Sequence, residues 1–430
     1  MNRWLESTFA SLQIREFRIL WVGTILSFVA FFMSMIVQSV VAFEIAGTNT
    51  AVGYVVFAQG AAIAIVGPFG GAFADRWPKR RVVVVCQLGM ALVLTAIGGL
   101  IAADRLVIEI LAGAAFVMGS AFAFLGPARQ SLVVDLVPKK RRGNAMAVTL
   151  IANTGSRVLG PVVAGVLLGW PLAGAMGAYF AMAFFYTASA ISMTWLPKSI
   201  VRPRGSHGSV ISSVIEGFDY AWRHPRLRLL LFFYLAVILI GFPHVVVLPG
   251  LIENVYEVDA PSVSQLFAAS ALGAVVASVW VAQYADSQRA LLIYSLLGAA
   301  FGAGLISLAI APGLTSGRLA MFFVGVGSGG FQALNAAVIA RETAPEFMGR
   351  VMSLTMLAFA GFGLVALPIG VAADYVGEPA TLFAMGSVVV LVSGVMGRAL
   401  ARQAADPFPL AVEETAAAET TGEAGDETVR

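Results

Sequence analysis

Charge is scarce in this chain. Of 430 residues only 12% are Asp, Glu, Lys or Arg, 59% are hydrophobic, and the mean hydropathy is +0.87. A soluble globular protein carries about 25% charged residues. A chain this apolar could not coat a soluble particle, so lipid must solvate most of it. Cysteine is almost missing: Cys86 stands alone, which excludes an intramolecular disulfide and a multi-cysteine metal centre. Its apolar neighbours make it a small packing residue. Three histidines with no His-x-x-x-His pair give metal catalysis no support. No Gly-Lys-Ser/Thr phosphate loop is present, so the chain supplies no ATP-driven motor. The net charge of +3 is accounted for by the Lys/Arg bias of cytoplasmic loops, and nucleic acid is not an expected partner.

What the chain does have is long apolar runs. The first, Leu20 to Ile45, exceeds a signal-peptide core and has no small-residue cleavage site behind it, so it is expected to stay as a spanning helix. A spanning helix needs roughly 20 mainly apolar residues. Such runs fall near 18–45, 50–74, 82–102, 106–127, 144–168 and 172–196, and again near 228–250, 262–284, 290–311, 316–338, 350–373 and 379–400. Membrane strands would instead alternate apolar and polar residues in runs of about ten. The expectation is an all-α integral membrane protein of twelve transmembrane helices in two pseudo-symmetric six-helix bundles, 1–197 and 228–400. Between them, 198–227 reads as a cytoplasmic linker ending in an amphipathic helix with Ile215, Phe218 and Trp222 on its apolar face. The acidic tail 401–430 is short of bulky apolar groups and is expected to be disordered.

Cations set the orientation. Arg3, Arg15 and Arg18 precede span 1; Arg76, Lys79, Arg80 and Arg81 follow span 2; Lys139, Lys140, Arg141 and Arg142 follow span 4; and six more basic residues lie between spans 6 and 7. The opposite connectors hold only Arg105 and Arg318. By the positive-inside rule both termini are cytoplasmic, in a multi-pass protein of the inner (plasma) membrane.

The halves read as copies. "DLVPKKRRGNAMAV" from Asp135 answers "ETAPEFMGRVMSL" from Glu342, an offset of 207 residues that also places Pro161 over Pro368. "FADRWPKRRVVV" is echoed by "QYADSQRALLI", with Asp75 answering Asp286 at a slightly larger offset. Loops after apolar helices often hold a charge and a proline, but two acid pairs and two proline pairs in near-constant register favour duplication. Repeats of six helices about an axis normal to the membrane are a transporter architecture, with the substrate site at the repeat interface.

The paired layout, the connector "GGAFADRWPKRR" and the fifth-span "GSRVLGPVVAG" resemble the major facilitator superfamily over nearly the whole chain. Within it, "FLGPARQSLVVDLVPKKRRGNAMAVTL" and "VVAFEIAGTNTAVGYV" resemble the drug:proton antiporter branch that includes macrolide and enterobactin exporters. The superfamily pattern Gly-x-x-x-Asp-Arg-x-Gly-Arg-Arg/Lys falls on Gly71, Asp75, Arg76, Lys79 and Arg80, with Pro78 where glycine is usual. On physical grounds a carboxylate at Asp75 can sit against the positive end of another helix or accept from its free N–H groups. The same charges would also serve simply to fix topology. The resemblance implies that the partner helix is span 11, starting near Gly349, that this contact is a conformational gate, and that the basic residues pair with Asp135.

On span 5, Gly155, Gly160, Pro161 and Gly165 resemble the antiporter motif Gly-x-x-x-x-Gly-Pro-x-x-Gly-Gly, with Ala164 at one terminal glycine. Small residues at this spacing permit tight packing, and Pro161 bends the helix; ordinary glycine-rich packing would leave the same pattern. Arg157 lies on the same span near mid-membrane, where a charge normally faces a partner, the bundle interior or water. Span 4 lacks the basic residue of the "Arg-x-x-x-Gly" stretch found in many proton-coupled exporters; Ala115 stands there, four residues before Gly119.

The resemblance implies that spans 1, 4, 7 and 10 line a central cavity. Helical spacing aligns Ser27, Phe31, Ser34 and Gln38 on span 1, and Glu109, Gly113, Phe116 and Ser120 on span 4. Span 7 offers Tyr234, Gly241 and His244, and span 10 offers Ser328, Gln332 and Asn335. Such mixed faces suit an amphipathic or apolar ligand, although each residue singly reads as helix packing. Glu109 has two open roles, proton coupling or an interfacial acid; His244, beside Pro243, is either a proton carrier or structural. Glu44, Glu253, Glu257, Asp259 and Asp374 are expected to face outer water. The functional expectation is a secondary active transporter without cofactor, driven by the proton gradient and exporting a small molecule. The bilayer is its other partner and a monomer suffices. A same-fold uptake system or lipid flippase is the alternative; an integral-membrane enzyme would need a clustered acid/base or metal constellation that the sequence does not offer.

Overall fold

Each long apolar run folds as an α-helix, which satisfies every backbone N–H and C=O within its own segment where no water is available. The computed structural model describes residues 10–138, 141–197, 210–284, 287, 289–344 and 347–403. The first block comprises α1 (Arg15–Ala46), α2 (Asn49–Arg76), α3 (Lys79–Ala102), α4 (Ile108–Leu136), α5 (Arg142–Leu168) and α6 (Gly174–Thr194). A surface helix, α7 (Val210–Arg223), leads to the second block: α8 (Pro225–Gly241) continued by α9 (His244–Gly250), α10 (Val263–Ala282), α11 (Ala290–Ala309), α12 (Leu314–Arg341), α13 (Met348–Val376) and α14 (Glu378–Gln403).

Counting α8 and α9 as one span, 11 helices among the described residues are long and apolar enough to cross a bilayer. The remaining one, α13, is 29 residues long and contains the apolar stretch Gly361–Val376. The architecture is thus all-α, twelve membrane helices in two blocks of six. An even number of crossings puts the start of α1 and the end of α14 on one membrane face, called here the terminal face; the other is the far face.

Two spans differ from the sequence expectation. Span 4 does not stop at 127: α4 runs on through Pro127 to Leu136, because lipid offers the freed carbonyl no better partner than a continued helix. This brings Arg129 into the membrane-spanning part. Span 7 is not a single helix. It breaks at Phe242–Pro243, restarts as α9 and closes in a π-helical turn, Leu251–Val255. Pro243 and Pro249 each remove an N–H from the ladder. The expected linker 198–227 lies outside the described residues up to 209 and beyond that is α7 and the first residues of α8; the tail is helical to Gln403 and thereafter outside them.

Within the first block α1 packs on α5 and α6, and α2 on α4; within the second α10 packs on α12, and α11 on α12 and α14. The halves meet mainly along α2–α13, with α5–α10 as a second seam. Glycine makes the first seam possible. A Cβ at Gly53 would stand 2.7 Å from the Ala366 carbonyl oxygen, and one at Gly363 would stand 2.5 Å from the Gly60 Cα. Helix α7 docks on the terminal-face end of the second half. Glu216 pairs with Arg350 at 3.2 Å, the Tyr220 ring stacks on Phe347 at 4.2 Å, and the Ala344 N–H donates to the Tyr220 hydroxyl at 3.1 Å. Ile215, Phe218 and Trp222 stay exposed on its other side, as suits a helix lying at the bilayer surface.

Candidate functional site

At the terminal face, each half ends its fourth helix in an acid held by a cation. Asp135, in the last turn of α4, pairs with Lys79 at the start of α3 at 2.6 Å. Arg80 beside it donates to the Leu196 carbonyl at 2.5 Å. Glu342, just past α12, pairs with Arg226 in the first turn of α8 at 3.2 Å. Burial pushes the Glu342 carboxyl above its ordinary range, against the opposing influence of Arg226. The side chains of Gly71, Asp75 and Arg76 lie outside the described residues, as do Lys139, Lys140, Asp286, Pro345 and the Gly349 side of their expected partner helix.

The far face holds a contact that the sequence reading missed. Asp374, near the end of α13, does not simply face water; its carboxylate receives the first N–H groups of α2. It accepts from the Asn49 and Thr50 backbone N–H groups, each at 2.8 Å, and from the Asn49 amide at 3.0 Å and the Thr50 hydroxyl at 2.5 Å. A carboxylate there satisfies the free N–H groups of the helix start and complements its positive end. Glu378 extends the network, accepting from Asn49 at 3.0 Å and Asn254 at 2.7 Å. The bonds from Asn49 and Thr50 join one half to the other. Beside them, a cavity of about 1070 Å³ opens to the far face between α5 and α10, lined by Glu44, Glu253, Glu257 and Asp259 among others.

Span 5 splits its motif residues. Gly160 lies against the backbone of Phe32 and Met33 on α1, and Gly165 against Ser264 of α10 in the other half. Pro161 is buried inside α5 and borders the far-face cavity. Gly155 is the exception: it is exposed, with open space where a Cβ would be, so no close helix approach requires a glycine there. Arg157 stands over the Phe32 ring, 5.4 Å from its centroid.

The midplane residues also divide. Ser34 is buried and its hydroxyl donates to the Phe31 carbonyl at 2.8 Å. Gln38 is buried and donates to the Met118 sulfur at 3.3 Å; with Ser39, Gln59 and apolar neighbours it lines a small enclosed cavity of about 30 Å³ between the halves. Within the second half, Tyr234, Phe233, Tyr294 and Phe331 form a buried aromatic cluster in which the Tyr294 hydroxyl donates to Asn335 at 2.8 Å. Gln332 is half-buried beside it.

Three candidates stand apart from this region. Glu109 is exposed in the first turn of α4, at the far-face end of its helix, which corrects its placement in the cavity. Of the two roles the sequence leaves open, this position is that of an interfacial acid. Phe116 is 38% exposed, on the side of α4 turned away from the buried Ala115 and Met118. His244 is buried, with Nδ1 2.8 Å from the Gly241 carbonyl and its ring edge-on to Phe301 at 5.7 Å. That bond bridges the break between α8 and α9, a structural position.

The residue missed in the midplane is Arg129. It is only 6% exposed, donates to the Ser27 hydroxyl at 2.7 Å and lies over the Phe28 ring at 4.9 Å. Ending span 4 at its proline hid it; the apolar Leu132 and Val133 beyond were the available signal.

Known proteins carry the same plan. The chain is 24% identical over 350 residues to YfiS of Bacillus subtilis, described as an MFS-type transporter, covering 76% of this chain and 81% of that protein. It is 25% identical over 291 residues to the enterobactin exporter EntS of Shigella flexneri, covering 66% and 67%. Among solved structures, the nucleoside transporter NupG superposes with a TM-score of 0.69 at 14% identity, covering 89% of this chain and 98% of that one. A bacterial homologue of the human lysosomal transporter Spinster superposes at 0.69 and 14% identity, covering 90% and 96%. At such identities the structures speak to fold alone. The family model for the Major Facilitator Superfamily matches residues 20–368, from α1 into α13. This chain, a transporter rather than an enzyme, belongs to the Major Facilitator Superfamily.

Proposed function

We propose that the protein is a proton-coupled exporter of small amphipathic or apolar compounds that works by alternating access, with both termini cytoplasmic. The observation that carries this reading is the far-face closure: a carboxylate of one half caps a helix of the other, next to a tight glycine seam. Such a contact is strong in one arrangement of the halves and breaks in the other, as a two-state gate requires. Asp75 and the start of α13 stand at the other ends of the same two helices, α2 and α13, and are assigned the reciprocal gate at the opposite face. The basic terminal-face connectors make that face cytoplasmic.

Direction rests on two supports, the antiporter-like face of α5, with Gly160 and Gly165 at close approaches, and the likeness to an exporter. With Glu109 at the helix end and His244 structural, proton capture is assigned to Glu44 and Glu253, which face each other across the halves in the far-face cavity. Such a transporter needs no cofactor beyond the gradient, and a single chain contains the complete site.

The test is transport by the full chain in liposomes with the terminal face outward. An exporter exchanging substrate for protons accumulates an amphipathic tracer only when the interior is acid. Accumulation that ignores the gradient removes the coupling, and accumulation only with the far face outward identifies an uptake system or flippase.

A further inference from the structure

Two arginines lie within the spanning part of the first half, and among the described residues neither has a carboxylate partner; the four ion pairs found there lie elsewhere. Each guanidinium is held over a ring of α1 instead, Arg129 over Phe28 and Arg157 over Phe32. Phe28 and Phe32 are one turn apart on one helix face, about 6 Å along the axis. The two cations, from different helices, are therefore gathered along one edge of α1. Arg129 makes one side-chain hydrogen bond, to Ser27, and its buried Nε has no acceptor. Arg157 is half-buried, which leaves its guanidinium the more accessible of the two.

Magnitudes decide what this arrangement is for. Withdrawing a charge from water costs several kcal/mol even after relaxation. A cation–π contact returns about 0.5–2 kcal/mol, and one hydrogen bond to a serine about 1 kcal/mol. Neither offsets the desolvation of a guanidinium. If Arg129 served only to tie α4 to Ser27, a neutral donor would do so at lower cost. A guanidinium is the group whose planar fork matches carboxylate, sulfonate or phosphate oxygens. The rings of Phe28 and Phe32 beside the two guanidinium groups supply apolar surface for an organic body.

We infer that Arg157 and Arg129 form an anion subsite along α1 in the first half, and that the transported compound is an amphipathic organic anion. The inference rests on the transporter reading and narrows its substrate class. Arg157 meets the ligand first because it is the more accessible; Arg129 supplies the second positive charge one turn nearer the terminal face.

The experiment is titration calorimetry of the purified full chain in nanodiscs, with empty discs subtracted. Three probes share one apolar body: naphthalene-2-sulfonate, naphthalene-2-methanol and the naphthylmethyl-trimethylammonium ion. The sulfonate is expected to bind at least about tenfold more tightly than the alcohol, the scale of one charge-assisted hydrogen bond. Arg157→Gln abolishes that preference while leaving the alcohol's affinity unchanged, which also reports an intact fold; Arg157→Lys retains part of it. Equal affinities in the unaltered protein, no binding of the sulfonate, preference for the ammonium, or an equal loss of all probes in Arg157→Gln would each overturn the subsite. If sulfonate preference is absent while acid-driven accumulation of other tracers persists, the subsite fails and the exporter stands. If the preference holds while accumulation ignores the gradient, the coupling fails and the subsite stands.

Discussion

The two halves share a scaffold and differ at the midplane. The same offset that places Pro161 over Pro368 and Asp135 over Glu342 places Arg129 over Ala336 and Arg157 over Leu364. The first half thus carries two embedded cations where the second carries none. The second half packs Phe233, Tyr234, Tyr294 and Phe331 together. Where the repeat is kept, its residues cap, bend and pair helices. Where it is broken, the first half holds buried or half-buried cations and the second an aromatic core, and that difference is where the halves' chemistry diverges.

The kept positions are unequal in depth, and that inequality gives the largest expected effect. Glu342→Ala leaves Arg226 buried without its carboxylate and should cost about 3 kcal/mol in denaturation of the purified protein. An undisturbed stability would show that the pair contributes nothing to the second half. Next comes the midplane. Arg157→Gln should weaken naphthalene-2-sulfonate binding about tenfold, whereas Leu364→Gln at the matching position should leave it unchanged. Equal losses from both would erase the contrast between the halves.

Tyr294→Phe removes the bond to buried Asn335 and should cost about 1 kcal/mol without altering charge preference. A changed preference would bring the aromatic cluster into anion recognition. Asp135→Ala, at the more exposed pair, should cost about 0.5 kcal/mol, within what surface pairs contribute. A pH dependence separates the two acids further. Because burial raises the folded Glu342 carboxyl above its ordinary value of 4.5, the folded chain binds that proton more tightly than the unfolded one. Its stabilising contribution is present below that value and is lost as pH rises through the folded one. The unaltered protein should show this fall and Glu342→Gln should lack it; a slope shared by both variants would assign it to another group.

Much of this fold was legible because lipid leaves a chain few options. Apolar runs long enough to cross had to become helices, and their ends were found within a few residues except where proline interfered. Proline was misread in both directions. Pro127 stands at the expected end of span 4 although α4 continues, and Pro243 stands inside an expected span although span 7 breaks there. The difference is set by which neighbouring groups can satisfy the freed carbonyl, and a single sequence does not say. The same error hid Arg129. Asp374 was misplaced for another reason: its partners, Asn49 and Thr50, stand more than 320 residues away in the chain, and no local pattern links a helix start in one half to a carboxylate in the other.

The proposed transport cycle requires the halves to move as bodies and the Asp374 contact with the start of α2 to act as its far-face latch. With Cys86 replaced by serine, spin labels at Ala46→Cys and Tyr375→Cys, both exposed at the far face, report the separation of the halves by pulsed electron resonance. The expected result is a single short distance in the otherwise unaltered protein and a second, longer population once Asp374→Ala removes the cap. One unchanged narrow distribution in both proteins, with and without naphthalene-2-sulfonate, would contradict it.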